Sequence, residues 1–79
     1  MKALVTGATS GIGKKIAENL SSRGWELILT GRNRAVLEEM AERLGKCEYI
    51  AADLSKKSDI LKVYEFCKDK NIDMLVNNA

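Results

Sequence analysis

Short apolar runs alternate along the chain with segments whose apolar residues recur at helical spacing. Ala3, Leu4 and Val5 form an apolar run between Lys2 and a glycine-rich segment, and they read as a buried strand. Ile12, Ile16, Ala17 and Leu20 then mark one face of a helix, with Ser10 placed as its N-cap and Gly24 where a glycine ends it. Leu27, Ile28, Leu29 and Thr30 follow without polar alternation, the pattern of a strand buried on both faces of a parallel sheet. Asn33 is positioned to cap a second helix carrying Val36, Leu37, Met40, Ala41 and Leu44 and stopped by Gly45, with Glu39 and Arg43 as an i,i+4 pair. Cys47–Ala51 predicts a third strand, less apolar and therefore nearer a sheet edge. Ser55 or Ser58 is expected to cap a third helix with Ile60, Leu61, Val63, Tyr64 and Cys67 on its inner side, and residues 72–76 read as a fourth strand. Strand–helix alternation with short connections implies βαβ units, a parallel sheet and right-handed crossovers. The expected fold class is α/β, half of a doubly wound sheet, in a single domain.

Composition narrows the function classes. Of the 79 residues, 46% are hydrophobic and 30% charged, which is ordinary globular chemistry, and a domain this small is only marginally stabilised by its core. A net charge of +2 is too small for a dedicated nucleic-acid footprint or a polybasic membrane anchor. Cys47 and Cys67 lack metal-ligand spacing, His is absent, and two cysteines make no disulfide framework. No apolar run reaches membrane-spanning length, and Met1-Lys2 is followed by only three apolar residues before Thr6. The expectation is a cytoplasmic domain that contacts neither nucleic acid nor membrane and holds no metal.

The most informative segment is residues 6–13, TGATSGIG, which joins the first strand to the first helix. Phosphate binding needs backbone N–H groups turned to the ligand, no side chains in the way, and the positive end of a helix. Gly7 would permit the tight turn, Gly11 the close approach of backbone to pyrophosphate, and Gly13 close helix–strand packing. A Walker A loop is excluded, because Ala8 stands at its first glycine position and Lys15 follows Lys14 where Ser or Thr is needed. The G-x-G-x-x-G fingerprint fails as well, since the spacing here is G-x-x-x-G-x-G.

T-G-x-x-x-G-x-G after the first strand resembles the cofactor-binding Rossmann domain of the short-chain dehydrogenase/reductase family. Asp53-Leu54 after the third strand resembles the family's Asp-Leu or Asp-Val pair beside the adenine, and Asn77-Asn78-Ala79 resembles the start of its N-N-A-G motif. The order and spacing of the three fit over the entire chain. The resemblance implies a strand order of 3-2-1-4 with three helices, and a nucleotide site formed by Gly7, Ser10, Gly11, Ile12, Gly13, Asp53, Leu54 and Asn78. Asp53 also suits a cap for the third helix, and the two asparagines suit a turn after a strand.

An NAD-binding unit of this type carries Asp or Glu at the end of the second strand. The sequence there is Thr30-Gly31-Arg32-Asn33-Arg34, and Gly31 stands where the family's NAD-preferring members place Asp. Without the acid, nothing repels a 2′-phosphate, and Arg32 supplies a charge-assisted partner, with Arg34 as a second charge. The expected cofactor is NADP(H). Trp25 and Lys14, Lys15, Lys56 and Lys57 read as packing and solvated faces.

The family's catalytic Ser and Y-x-x-x-K lie beyond the fourth strand. Tyr64 and Lys68 match Y-x-x-x-K formally, but on the wrong helix, so no catalytic residue is expected within the chain. Residues 1–79 are therefore read as the N-terminal, catalytically inactive cofactor part of an oxidoreductase that moves hydride between nicotinamide and a carbonyl or alcohol. The alternative is a stand-alone half-Rossmann module for nucleotide binding or self-association. Either way the fourth strand is an apolar edge, which predicts a homo-oligomer formed through it.

Overall fold

The computed structural model describes residues 1–78, so Ala79 of the N-N-A motif lies outside the described residues. Seven elements follow one another as β1 (Lys2–Val5), α1 (Gly11–Ser22), β2 (Glu26–Gly31), α2 (Arg34–Leu44), β3 (Cys47–Ala51), α3 (Lys57–Cys67) and β4 (Met74–Val76). They build one parallel sheet in the order β3-β2-β1-β4. Type and sequence of all seven elements match the reading from hydrophobic pattern. β4 is the shortest strand because Asp73 serves another purpose. Its carboxylate accepts the Lys2 N–H at 2.8 Å while its own N–H donates to the Lys2 carbonyl at 2.8 Å, pinning the start of the β1–β4 ladder.

Register lines up the apolar residues in rows across the sheet: Met74, Ala3, Leu27 and Cys47 in one, Val76, Val5, Leu29 and Tyr49 in the next. Period-two alternation sends these residues to one face, where Ala3, Val5, Leu27 and Leu29 meet Ala17 of α1 and Leu37 and Met40 of α2 in the main core. The two helices are neighbours there. Ser21 Oγ donates to the Leu44 carbonyl at 3.3 Å, and Arg43 pairs with Glu18 at 3.0 Å and with Glu39 at 3.6 Å. Trp25 packs against the edge of this core, as expected for a residue ahead of a buried strand.

The caps of the first two helices are as expected. Ser10 Oγ accepts the Gly13 N–H at 3.0 Å, Asn33 Oδ1 accepts the Val36 N–H at 3.2 Å, and Gly45 ends α2 at φ +76°. Two expectations need correction. Ile12 is 68% exposed, because the face of α1 set against the sheet is Gly13 and Ala17, one position round the helix. On α3 only Val63 is buried, whereas Ile60, Leu61 and Tyr64 are 49%, 57% and 62% exposed. The crossover from β3 to β4 runs over the opposite face from α1 and α2. There α3 has no second helix beside it among the described residues, so a single narrow stripe is covered. Neither Ser55 nor Ser58 caps α3; Lys56 holds the cap position without a side-chain hydrogen bond. No helix among the described residues is long and apolar enough to cross a membrane.

Candidate functional site

All four strands point their C-terminal ends at the glycine loop. Gly7 turns the chain out of β1 at φ +61°, a conformation open to glycine. Its carbonyl then becomes the hub of the loop, accepting from Ser10 N at 3.2 Å, Ser10 Oγ at 2.9 Å and Asn78 Nδ2 at 3.2 Å. Ser10 Oγ in turn accepts from Asn78 Nδ2 at 2.9 Å, so one hydroxyl serves the helix cap and the link to β4 together. A Cβ at Gly13 would run into the Gly7 carbonyl and come within 2.9 Å of Ala8 Cα, which is why α1 can start so close to the sheet. At Gly11 an added Cβ would meet nothing within 4 Å, so packing makes no demand for glycine there.

Thr6 ties the loop to the end of β4. Its N–H donates to the Val76 carbonyl at 2.9 Å, and its hydroxyl accepts the Asn78 N–H at 2.9 Å while lying 3.3 Å from the Val76 carbonyl and 3.2 Å from Asn77 Oδ1. Ala8 N donates to the Thr30 carbonyl at 3.0 Å, and Thr30 Oγ1 donates to the Ile50 carbonyl at 2.8 Å. These bonds hold the ends of β4, β1, β2 and β3 in one array.

A cleft of about 470 Å³ opens along that array, lined by Gly7, Gly31, Arg32, Ala52, Asp53, Leu54 and Ser55. That volume lies in the range of small-molecule sites. Asp53 sits on its wall with Oδ1 accepting from Ser55 N at 3.0 Å and Ser55 Oγ at 2.7 Å. These hydrogen bonds, followed by the charges of Arg32 and Lys56, hold its carboxyl below the usual carboxylate range. The Asp53 carboxylate thus shapes the loop and does not cap α3. The tie to the helix comes from Asp59, whose Oδ2 accepts the Asp53 N–H at 2.7 Å.

Of the residues marked from sequence, Gly7, Arg32, Asp53 and Leu54 line the cleft. Ser10, Gly11 and Gly13 form the loop and helix start beside it, and Asn78 is bonded to that loop. Ile12 lies on the outer side of α1, with Ile16 and Leu20 along a shallow groove. Arg34 is set apart from the cleft, its guanidinium 5.8 Å from the centroid of the Tyr49 ring. The sequence reading gave no bonding role to Thr6, which it took only as the start of the glycine motif, nor to Thr30 or Asp59, although a hydroxyl residue at the end of each of two apolar strands was a visible signal. Tyr64 in the last turns of α3 and Lys68 just after it stand toward the end of the sheet away from the loop, and Lys68 pairs with Glu65 at 2.9 Å. Cys47 and Cys67 lie at that far end too; burial, with help from Glu48, pushes the Cys47 thiol up to about 11, and burial raises Cys67.

Comparison with known proteins places this geometry in context. The family described as short chain dehydrogenase matches residues 1–79. An uncharacterized short-chain type dehydrogenase/reductase of Sinorhizobium fredii is 46% identical over 77 residues, covering 98% of this chain and 29% of that protein. Among solved structures, a short-chain dehydrogenase from Sphingobium yanoikuyae in complex with NADPH has a TM-score of 0.90 at 37% identity, covering 99% of this chain and 33% of that one. A serine dehydrogenase complexed with NADP+ has a TM-score of 0.87 at 36% identity, covering 100% and 33%. The chain spans about a third of the length of the curated relatives it matches.

Proposed function

This chain belongs to the short chain dehydrogenase family, and from that premise we propose that it forms the NADP(H)-binding part of an oxidoreductase acting on a carbonyl or alcohol in the cytoplasm. The observation that carries the cofactor choice is the end of β2, where Gly31 and Arg32 line the cleft and residues 30–34 carry no carboxylate. The open space over Gly11 and the capped start of α1 fit a pyrophosphate, and the cleft beside Asp53 and Leu54 fits an adenosine. When bound, the dinucleotide would donate or accept the hydride. The chain's own residues hold and orient it: the helix start faces the pyrophosphate, Arg32 meets the 2′-phosphate, and Ala52, Asp53 and Leu54 flank the base. The Ser10–Asn78 link keeps β4 and the loop in fixed relation beside the cleft. Likeness to NADPH- and NADP+-complexed structures supports this reading. Catalytic groups are assigned outside these residues, so the chain by itself is expected to bind without turnover.

Arg32→Ala tests the assignment. It should weaken NADP+ roughly tenfold or more, the loss of one charge-assisted partner, and leave NAD+ nearly unchanged. Titration calorimetry with both dinucleotides reads the difference, and equal losses would remove the preference for NADP(H).

A further inference from the structure

Thr9 and Gly31 face each other where the glycine loop meets the end of β2. Backbone bonds fix both sides of this contact, from Ala8 N to the Thr30 carbonyl at 3.0 Å and from Ala52 N to the Gly31 carbonyl at 2.8 Å. A Cβ added at Gly31 would lie 3.2 Å from Thr9 Oγ1, 3.3 Å from Thr9 Cγ2 and 3.7 Å from Thr9 N. The two γ atoms take two of the three staggered positions about χ1. Turning the side chain to another rotamer therefore leaves one of them facing position 31.

Position 31 is also where an acidic side chain would reach the adenosine ribose, about twenty residues beyond the glycine loop. We propose that Thr9 is a specificity-determining residue whose γ atoms fill the volume a side chain at position 31 needs, keeping a carboxylate away from the ribose. The inference rests on the dinucleotide reading given above and extends it. Arg32 attracts a phosphate by charge, whereas Thr9 excludes the competing acid by shape. Cofactor preference is then a property of two segments, and replacing Gly31 alone does not reverse it.

The test is a set of coupled variants of this chain: T9A, G31A, T9A/G31A, G31D and T9A/G31D, each titrated with NADP+ and NAD+ and each melted. G31D should weaken both dinucleotides roughly tenfold or more, through crowding of the loop that both need. T9A/G31D should recover NAD+ by about tenfold over G31D while NADP+ stays weak, since the carboxylate now has room and repels the phosphate. G31A should lower Tm when Thr9 is present and leave it unchanged or higher in the T9A background, which keeps the test alive if G31D does not fold. The role of Thr9 is overturned if G31D alone favours NAD+ as strongly as the double variant. Additive effects of T9A and G31A on Tm overturn it too. A wild-type chain that binds neither dinucleotide overturns the dinucleotide reading and this inference with it; additivity in a chain that does bind removes the role of Thr9 alone.

Discussion

At Gly13 an added methyl group would run into the Gly7 carbonyl, whereas at Gly11, two residues earlier, the same group would project into open space. The Gly7 carbonyl cannot retreat, because Ser10 and Asn78 donate to it from both sides. Gly13→Ala is therefore expected to cost on the order of 3 kcal/mol of stability, the scale of a clash in a packed site. Gly11→Ala should leave stability unchanged or raise it by a few tenths to about 1 kcal/mol, since alanine restricts the unfolded chain and suits a helix. The same change should weaken dinucleotide binding roughly tenfold or more by filling the approach to the helix start. Denaturant unfolding and calorimetric titration of the two variants separate these effects. Loss of stability at Gly11, or none at Gly13, would contradict the division of labour between a packing glycine and a ligand-facing one.

Among the helices, α3 is held least firmly. It has one buried residue, Val63, and no side-chain cap, while α2 buries Leu37 and Met40 and is capped by Asn33. Amide hydrogen exchange should therefore open α3 at least about tenfold faster than α1 or α2, as expected for a segment with few buried contacts. Equal protection in peptides from all three helices would refute this. The same contrast explains what the sequence made legible. Periodicity located all seven elements, and Ser10, Asn33 and Gly45 announced their roles because caps act within a few residues. Spacing alone could not assign the inner face of α3, since Ile60, Leu61 and Tyr64 are apolar at helical intervals yet stay exposed among the described residues. The site divided along the same line. The glycines were readable because their constraint is local, whereas Thr6 and Asp59 act across breaks in sequence that only the folded sheet closes. Arg34 read as a second charge behind Arg32, but at the first position of α2 its guanidinium lies over the Tyr49 ring.

Across the whole molecule, the two faces of the sheet are unequally covered. α1 and α2 close one side over a continuous core, while the other carries α3 alone, and Leu75 at the β4 edge is 62% exposed. β4 is paired on one side only, with β1, so its outer backbone groups face no strand among the described residues. An unpaired edge bearing an apolar residue is a template for another chain, and natural edges usually avoid this with a charge or a bulge. Here Asp73, the charge just before β4, is turned to β1, where its carboxylate accepts the Lys2 N–H. The 79-residue chain is thus expected to self-associate through β4, giving a sheet continued across a two-fold axis. Sedimentation equilibrium should report a mass above the 8.7 kDa monomer that rises with concentration, and Leu75→Lys should shift it back toward the monomer by placing a charge on the apolar edge. Leu75 lies outside the glycine-loop cleft, so Leu75→Lys should leave NADP+ affinity within about twofold of the wild type. A chain that stays monomeric at millimolar concentration would rule out pairing at β4, and a joint loss of assembly and binding would mean that the cleft itself depends on the paired edge.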